Sequence, residues 1–259
     1  MRLAVSGKGG VGKTTIAGTL CRLIGRSQHP VLALDADSNP NLALSLGLPR
    51  EMSSHLMAVP STLGEWRTDE NEHAYVHLTI PIPELTQQYG IHAPDNVTLL
   101  TMGNVDHAGV GCRCTAHAAA RGIMGHLWQA NGSVIVTDME AGLEHMGRGT
   151  TEHADALLIV MEPYYRALEA GQRIKQLAVD LGVPRIYAIA NKIRTEAEAT
   201  AVRTYCQQHD IPLLATIPYD EGIITAEING RTILDTQPDS FFVQAVNGLV
   251  IRLYEELNR

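Results

Sequence analysis

Residues 7–14 read Gly-Lys-Gly-Gly-Val-Gly-Lys-Thr, the spacing G-x-x-x-x-G-K-[ST] that cradles phosphate. Glycines at 7, 9, 10 and 12 let the backbone curl until its N–H groups converge on phosphate oxygens. A helix predicted to begin near Lys13 points its positive end at the same anion. The expected nucleotide cradle is therefore Gly7, Gly9, Gly10, Val11, Gly12, Lys13, Thr14 and Thr15, with Lys13 reaching the β- and γ-phosphates and the Thr14 hydroxyl on Mg2+. Lys8 is surplus to this task. It can form an ion pair within its own chain, with Asp138 as the partner. Or it can reach across a dimer and neutralise charge on the other chain's nucleotide, as an arginine finger does.

Three carboxylates follow. Asp35 and Asp37 end an apolar run, Leu34-Asp-Ala-Asp37, and in an extended segment they point the same way. Asp37, further out, can hold the attacking water. Asp35 can support the loop or the magnesium, or simply accept from backbone N–H groups. A second apolar run ends at Thr137-Asp138, the pattern in which the Asp holds magnesium. After it, Gly142 can offer an N–H to the γ-phosphate, and His145 is either a relay to a partner or a plain loop histidine. The base is readable as well. Guanine is recognised by N-K-x-D, but residues 191–194 are Asn-Lys-Ile-Arg. Asn191 can still meet a base edge, because its amide donates and accepts. The pattern favours ATP/ADP over guanine nucleotides.

Cys112-Arg-Cys114 sits among glycines just before a predicted helix, where thiolates are favoured. Two soft thiolates suit Ni2+ or Zn2+ but leave a tetrahedral site half filled. A symmetric dimer supplies the other two. The competing arrangements are a one-chain site completed by His107 and His117, and a metal-free redox pair. Cys21 and Cys206 share helical faces with apolar residues and are expected in the core.

These groups need a scaffold. The chain has 259 residues, 45% of them hydrophobic, enough for a sizeable core without disulfides. A net charge of −8 disfavours nucleic acid and anionic lipid as partners. Four cysteines and no long apolar run fit a reducing, cytoplasmic setting. Apolar runs at 3–6, 31–34, 97–100, 134–137, 156–161, 186–190 and 213–217 read as strands buried on both faces. Helical patterns cover about 13–26, 40–47, 115–130, 164–182, 195–209 and 239–257. This alternation predicts α/β architecture, a doubly wound, mostly parallel sheet flanked by helices. The chain is expected to be one domain over 1–259. It has a polar, proline-rich insertion at about 50–95 (Tyr75 to Ile80 a possible strand there) and a Cys-x-Cys loop at about 103–115.

The loop with Lys8 resembles the deviant Walker A class of P-loop ATPases, which includes nitrogenase iron protein and the Min and Par ATPases. With Asp-Ala-Asp, Cys-x-Cys and Asp138-Met-Glu-Ala-Gly-Leu-Glu-His added, the whole chain resembles the CooC-type ATPases. The resemblance implies a homodimer with ATP sandwiched between chains, Lys8 acting in trans and Asp37 activating water. Pro218-Tyr219-Asp220 would flank adenine. It further implies an ATP-driven insertase that holds nickel, or zinc in its place, between two Cys-x-Cys loops. The client would be carbon monoxide dehydrogenase or acetyl-CoA synthase. The rivals are an iron–sulfur reductase like nitrogenase iron protein, whose cluster cysteines lie far apart in sequence, a positioning ATPase that binds membrane or DNA, and a redox switch.

Overall fold

The computed structural model describes residues 1–37, 39–53, 56–68, 74–102, 122–129, 132–140 and 153–258. An eight-stranded sheet contains β1 (Arg2–Gly7), β2 (Val31–Ala36), β5 (Ile91–Ala93), β6 (Val97–Thr101), β7 (Val134–Met139), β8 (Ala156–Met161), β9 (Ile186–Ile193) and β10 (Leu213–Pro218). Their order across the sheet is β10-β9-β8-β1-β7-β2-β6-β5. All neighbours run parallel except β5, which is antiparallel to β6. A separate ribbon pairs β3 (Gly64–Thr68) with β4 (Ala74–Leu78). The helices are α1 (Lys13–Arg26), α2 (Leu42–Ser45), α3 (Arg50–Ser53), α4 (Ile82–Tyr89), α5 (122–128), α6 (Tyr165–Asp180), α7 (Glu196–Gln208), α8 (Glu221–Ile228), α9 (Ile233–Thr236) and α10 (Phe241–Leu257).

Alternate side chains of each strand feed two cores. Leu3 and Val5 of β1 pack with α1, α2 and α10, while Ala4 packs on the other face with α5, α6 and α7. Strands β2, β7 and β8 are buried along their whole length, which explains their unbroken apolar runs. The mostly parallel, doubly wound sheet is the expected one, and all seven strands read from apolar runs are present. Cys21 and Cys206 lie in these cores. Helix α10 buries Phe242, Val246, Leu249 and Leu253, and Arg252 donates to the Leu214 carbonyl at 2.6 Å. It docks on the sheet. Among the described residues no helix is long and apolar enough to cross a membrane.

The differences are local. The expected helix at 40–47 shrinks to the four residues of α2. Of the helix expected at 115–130, residues 122–128 are described as α5. Residues 50–95 contain α3, the ribbon, α4 and β5. Elements α4, β5, α8 and α9 were not apparent from periodicity, because each is only three to eight residues long.

Buried Arg22 of α1 ties distant parts of this scaffold together. Its guanidinium donates to Asp95 at 2.7 Å, to Thr232 at 3.1 Å and to both carboxylate oxygens of Asp235 at 2.8 and 2.7 Å. One side chain thus clamps α1 to the turn before β6 and to α9.

Candidate nucleotide site

The turn from β1 into α1 forms the loop. Gly12 is the N-cap of α1, with φ 92°, and α1 has neither a side-chain cap nor an acid in its first turn. Its leading N–H groups are therefore kept for a ligand anion. A side chain at Gly12 would also strike the Asn191 amide. Lys13 is buried, with its ammonium 3.4 Å from the Lys8 carbonyl. Thr14 and Thr15 follow at the mouth of a crevice of about 500 Å³. Gly10, Gly12 and Lys13 line that crevice together with Asn191, Pro218 and Tyr219. That volume accommodates a nucleotide.

Asp138 stands on β7 beside Asp35 of β2, the two being register partners. It is 1% exposed, and neither carboxylate oxygen accepts a hydrogen bond. Burial pushes its pKa up to about 7, against the pull of the nearby Thr14 hydroxyl and Lys13. Two dry, unpartnered carboxylate oxygens beside a hydroxyl fit a hard divalent cation. Thr14 and Asp138 would hold Mg2+, which neutralises charge on the β- and γ-phosphates when bound. Asp35 plays the plainer part. Its oxygens accept from the Leu42 N–H at 2.9 Å and the Asp37 N–H at 3.3 Å, and burial raises its pKa to about 6. Asp37 is at the rim and accepts from the Asn39 N–H at 2.8 Å.

Lys8 does not pair with Asp138. Its ammonium lies over the Tyr164 ring, 5.1 Å from the centroid, a cation–π contact at the open side of the loop. Asn191 spends its donor within the chain: Nδ2 donates to the Val11 carbonyl at 2.7 Å. It therefore braces the loop as well as lining the crevice.

Several contributors escaped sequence reading. Lys192 has a left-handed backbone, φ 59°, and its ammonium donates to the Gly10 carbonyl and to Glu162, both at 2.6 Å. This strap crosses the loop from β9 to the end of β8. Arg194 stacks on Tyr219 at 3.9 Å, and the Tyr219 N–H donates to the Ile193 carbonyl at 2.9 Å. Nothing in the sequence hinted at Glu162. Cys112, Cys114, His107, His117, Gly142 and His145 lie outside the described residues. Among the described ones no cluster of three metal-binding side chains forms.

A phosphate loop between the first strand and helix, with an orphaned carboxylate on the neighbouring strand, defines a P-loop nucleotide hydrolase. The chain belongs to the CobQ/CobB/MinD/ParA nucleotide-binding family, whose model matches residues 3–233, and it is an ATPase of the deviant Walker A class. It is 39% identical to the carbon monoxide dehydrogenase accessory protein CooC of Rhodospirillum rubrum, covering 92% of this chain and 91% of that one. It is 36% identical to an uncharacterized ATP-binding protein of Methanocaldococcus jannaschii, covering 90% and 91%. In fold it is similar to the MinD cell division protein of Aquifex aeolicus, with a TM-score of 0.72 at 19% identity over 98% of this chain and 97% of that one.

Proposed function

We propose that this ATPase is a metallochaperone that loads nickel into carbon monoxide dehydrogenase or acetyl-CoA synthase. The observation that carries this reading is likeness to the CooC accessory protein over nine-tenths of the chain, in a sequence that joins a complete phosphate loop to Cys112-Arg-Cys114. Nickel, or zinc in its place, is cargo held by two thiolates from each chain of a homodimer. ATP binds with its phosphates on the loop N–H groups and Lys13. Asp37, at the rim, orients the attacking water. Lys8, free of Asp138, meets the partner's nucleotide. The protein works in the cytoplasm, without membrane or nucleic acid as partner.

The test is metal stoichiometry. Purified protein given nickel chloride should hold one tight metal per two chains, and the Cys112→Ser/Cys114→Ser variant should hold none while binding ATP as the parent does. One metal per chain, kept by that variant, would overturn the shared site.

A further inference from the structure

The ribbon β3–β4 has one edge with no partner among the described residues. In an antiparallel pair, residues alternate between facing the partner strand and facing away. The Thr79 N–H donates to the Leu63 carbonyl at 2.9 Å, so the backbone groups of residues 63, 65 and 67 face β4. Those of Gly64, Trp66 and Thr68 face outward. The far edge of β4 obeys the same alternation. Val76, register partner of Trp66, has its carbonyl facing away from β3, 2.7 Å from His126 Nε2 of α5. Residues 65–68 are all exposed, and Trp66 is 48% exposed.

Exposed edges are normally guarded against pairing by charge. Here the charges have opposite signs and are spaced by two, Glu65 and Arg67. Two copies of β3 laid antiparallel and centred on Trp66 would bring Gly64 opposite Thr68, Trp66 opposite Trp66, and Thr68 opposite Gly64. These are the outward-facing residues, so each pair can exchange both N–H···O bonds. The intervening pairs, where side chains approach closest, set Glu65 against Arg67 twice. Sliding the centre to residue 65 or 67 sets like charges against each other.

We infer that β3 is an interface to a second copy of this chain, forming a four-stranded sheet across the dimer axis in the register centred on Trp66. This rests on the homodimer proposed above and specifies where the chains meet. Val76 packs so tightly on Gly122 of α5 that a side chain there would overlap it, and α5 follows Cys112 and Cys114 in sequence. An axis through β3 therefore passes near Gly122 in both chains.

Sedimentation equilibrium of full-length protein with Mg-ATP and nickel chloride tests this. Glu65→Arg should weaken dimerisation by about ten-fold or more, since two attractive pairs become repulsive. Glu65→Arg/Arg67→Glu should restore it. Thr68→Pro should also weaken it, because the N–H removed faces outward and leaves the β3–β4 ladder intact. Parent-like dimerisation of Glu65→Arg would overturn the register, and if that variant lost binding to the client enzyme instead, the edge would belong to the client. A parent that stays monomeric throughout would overturn the homodimer itself, and this interface with it.

Discussion

At the residue scale, three side chains close together have separable duties. Lys13 is buried beneath the loop, Asp37 is at its rim and Lys8 lies over the Tyr164 ring. Lys13→Ala should therefore weaken ATP binding itself. Lys8→Ala should bind ATP like the parent and turn over about 10³-fold more slowly, if Lys8 acts as an arginine finger does. Asp37→Asn should resemble Lys8→Ala. Equilibrium binding beside steady-state hydrolysis separates these outcomes, and parent-rate hydrolysis by Lys8→Ala would end the trans role. The loop was legible in sequence because its function is local: eight consecutive residues make one turn. Asp138 was legible because an apolar run ending in a carboxylate has few explanations. The Lys192 strap and the Arg194–Tyr219 stack were not. Lys192 and Gly10 are 182 positions apart, and only the folded sheet brings β9 over the loop.

At the element scale, Arg22 decides how firmly α1 is seated. It is 3% exposed and satisfied by two carboxylates. Removing one partner of a buried pair leaves a stranded charge, a loss of about 3–5 kcal/mol. Asp235→Asn strands less, because Asp95 remains and Asp235 is 30% exposed. Hydrogen bonding to Arg22 holds the Asp235 carboxyl below its usual range. The sign follows from that direction. A depressed native pKa gives stability that is present above the unfolded value, near 3.9, and lost as pH falls through the native value. Thermal melts should therefore show Asp235→Asn less stable than the parent at pH 7, with the gap closing toward pH 3. A gap independent of pH would mean that packing, not charge, holds α9. The strands were legible for a different reason than this clamp. Burial on both faces writes itself into consecutive residues, whereas Arg22, Asp95 and Asp235 come from three distant segments. The short α4 and β5 were illegible because they bury too few residues to show a period.

At the scale of the whole molecule, the proposed dimer, nucleotide and metal would share one equilibrium. If four thiolates need two chains, metal binding and dimerisation are linked, and each must strengthen the other by the same factor. Nickel chloride should raise the dimer fraction of the parent but not of Cys112→Ser/Cys114→Ser. The nickel affinity should rise with protein concentration. Sedimentation and metal titration measure the two sides independently, and a factor of one on both would mean that the metal site forms within one chain. The class of ATPase was legible from the sequence, because the loop, the carboxylates and the cysteine pair are each short motifs. The contact proposed for β3 was not, because it depends on a strand edge whose outward groups are defined only by the ribbon's pairing.

Helix α5 has one further property. The Trp128 indole N–H donates to the Thr137 hydroxyl at 2.9 Å, one residue before the orphaned Asp138, and the ring is wholly buried. The chain has just two tryptophans, and the other, Trp66, stands in solvent on the ribbon. The molecule thus carries two native optical labels in contrasting surroundings. Emission from the buried indole reports on the strand that bears Asp138, and emission from the exposed one on the edge of β3. Single replacements by phenylalanine would let each be followed alone, so the order of events at the two places can be timed without attaching a dye.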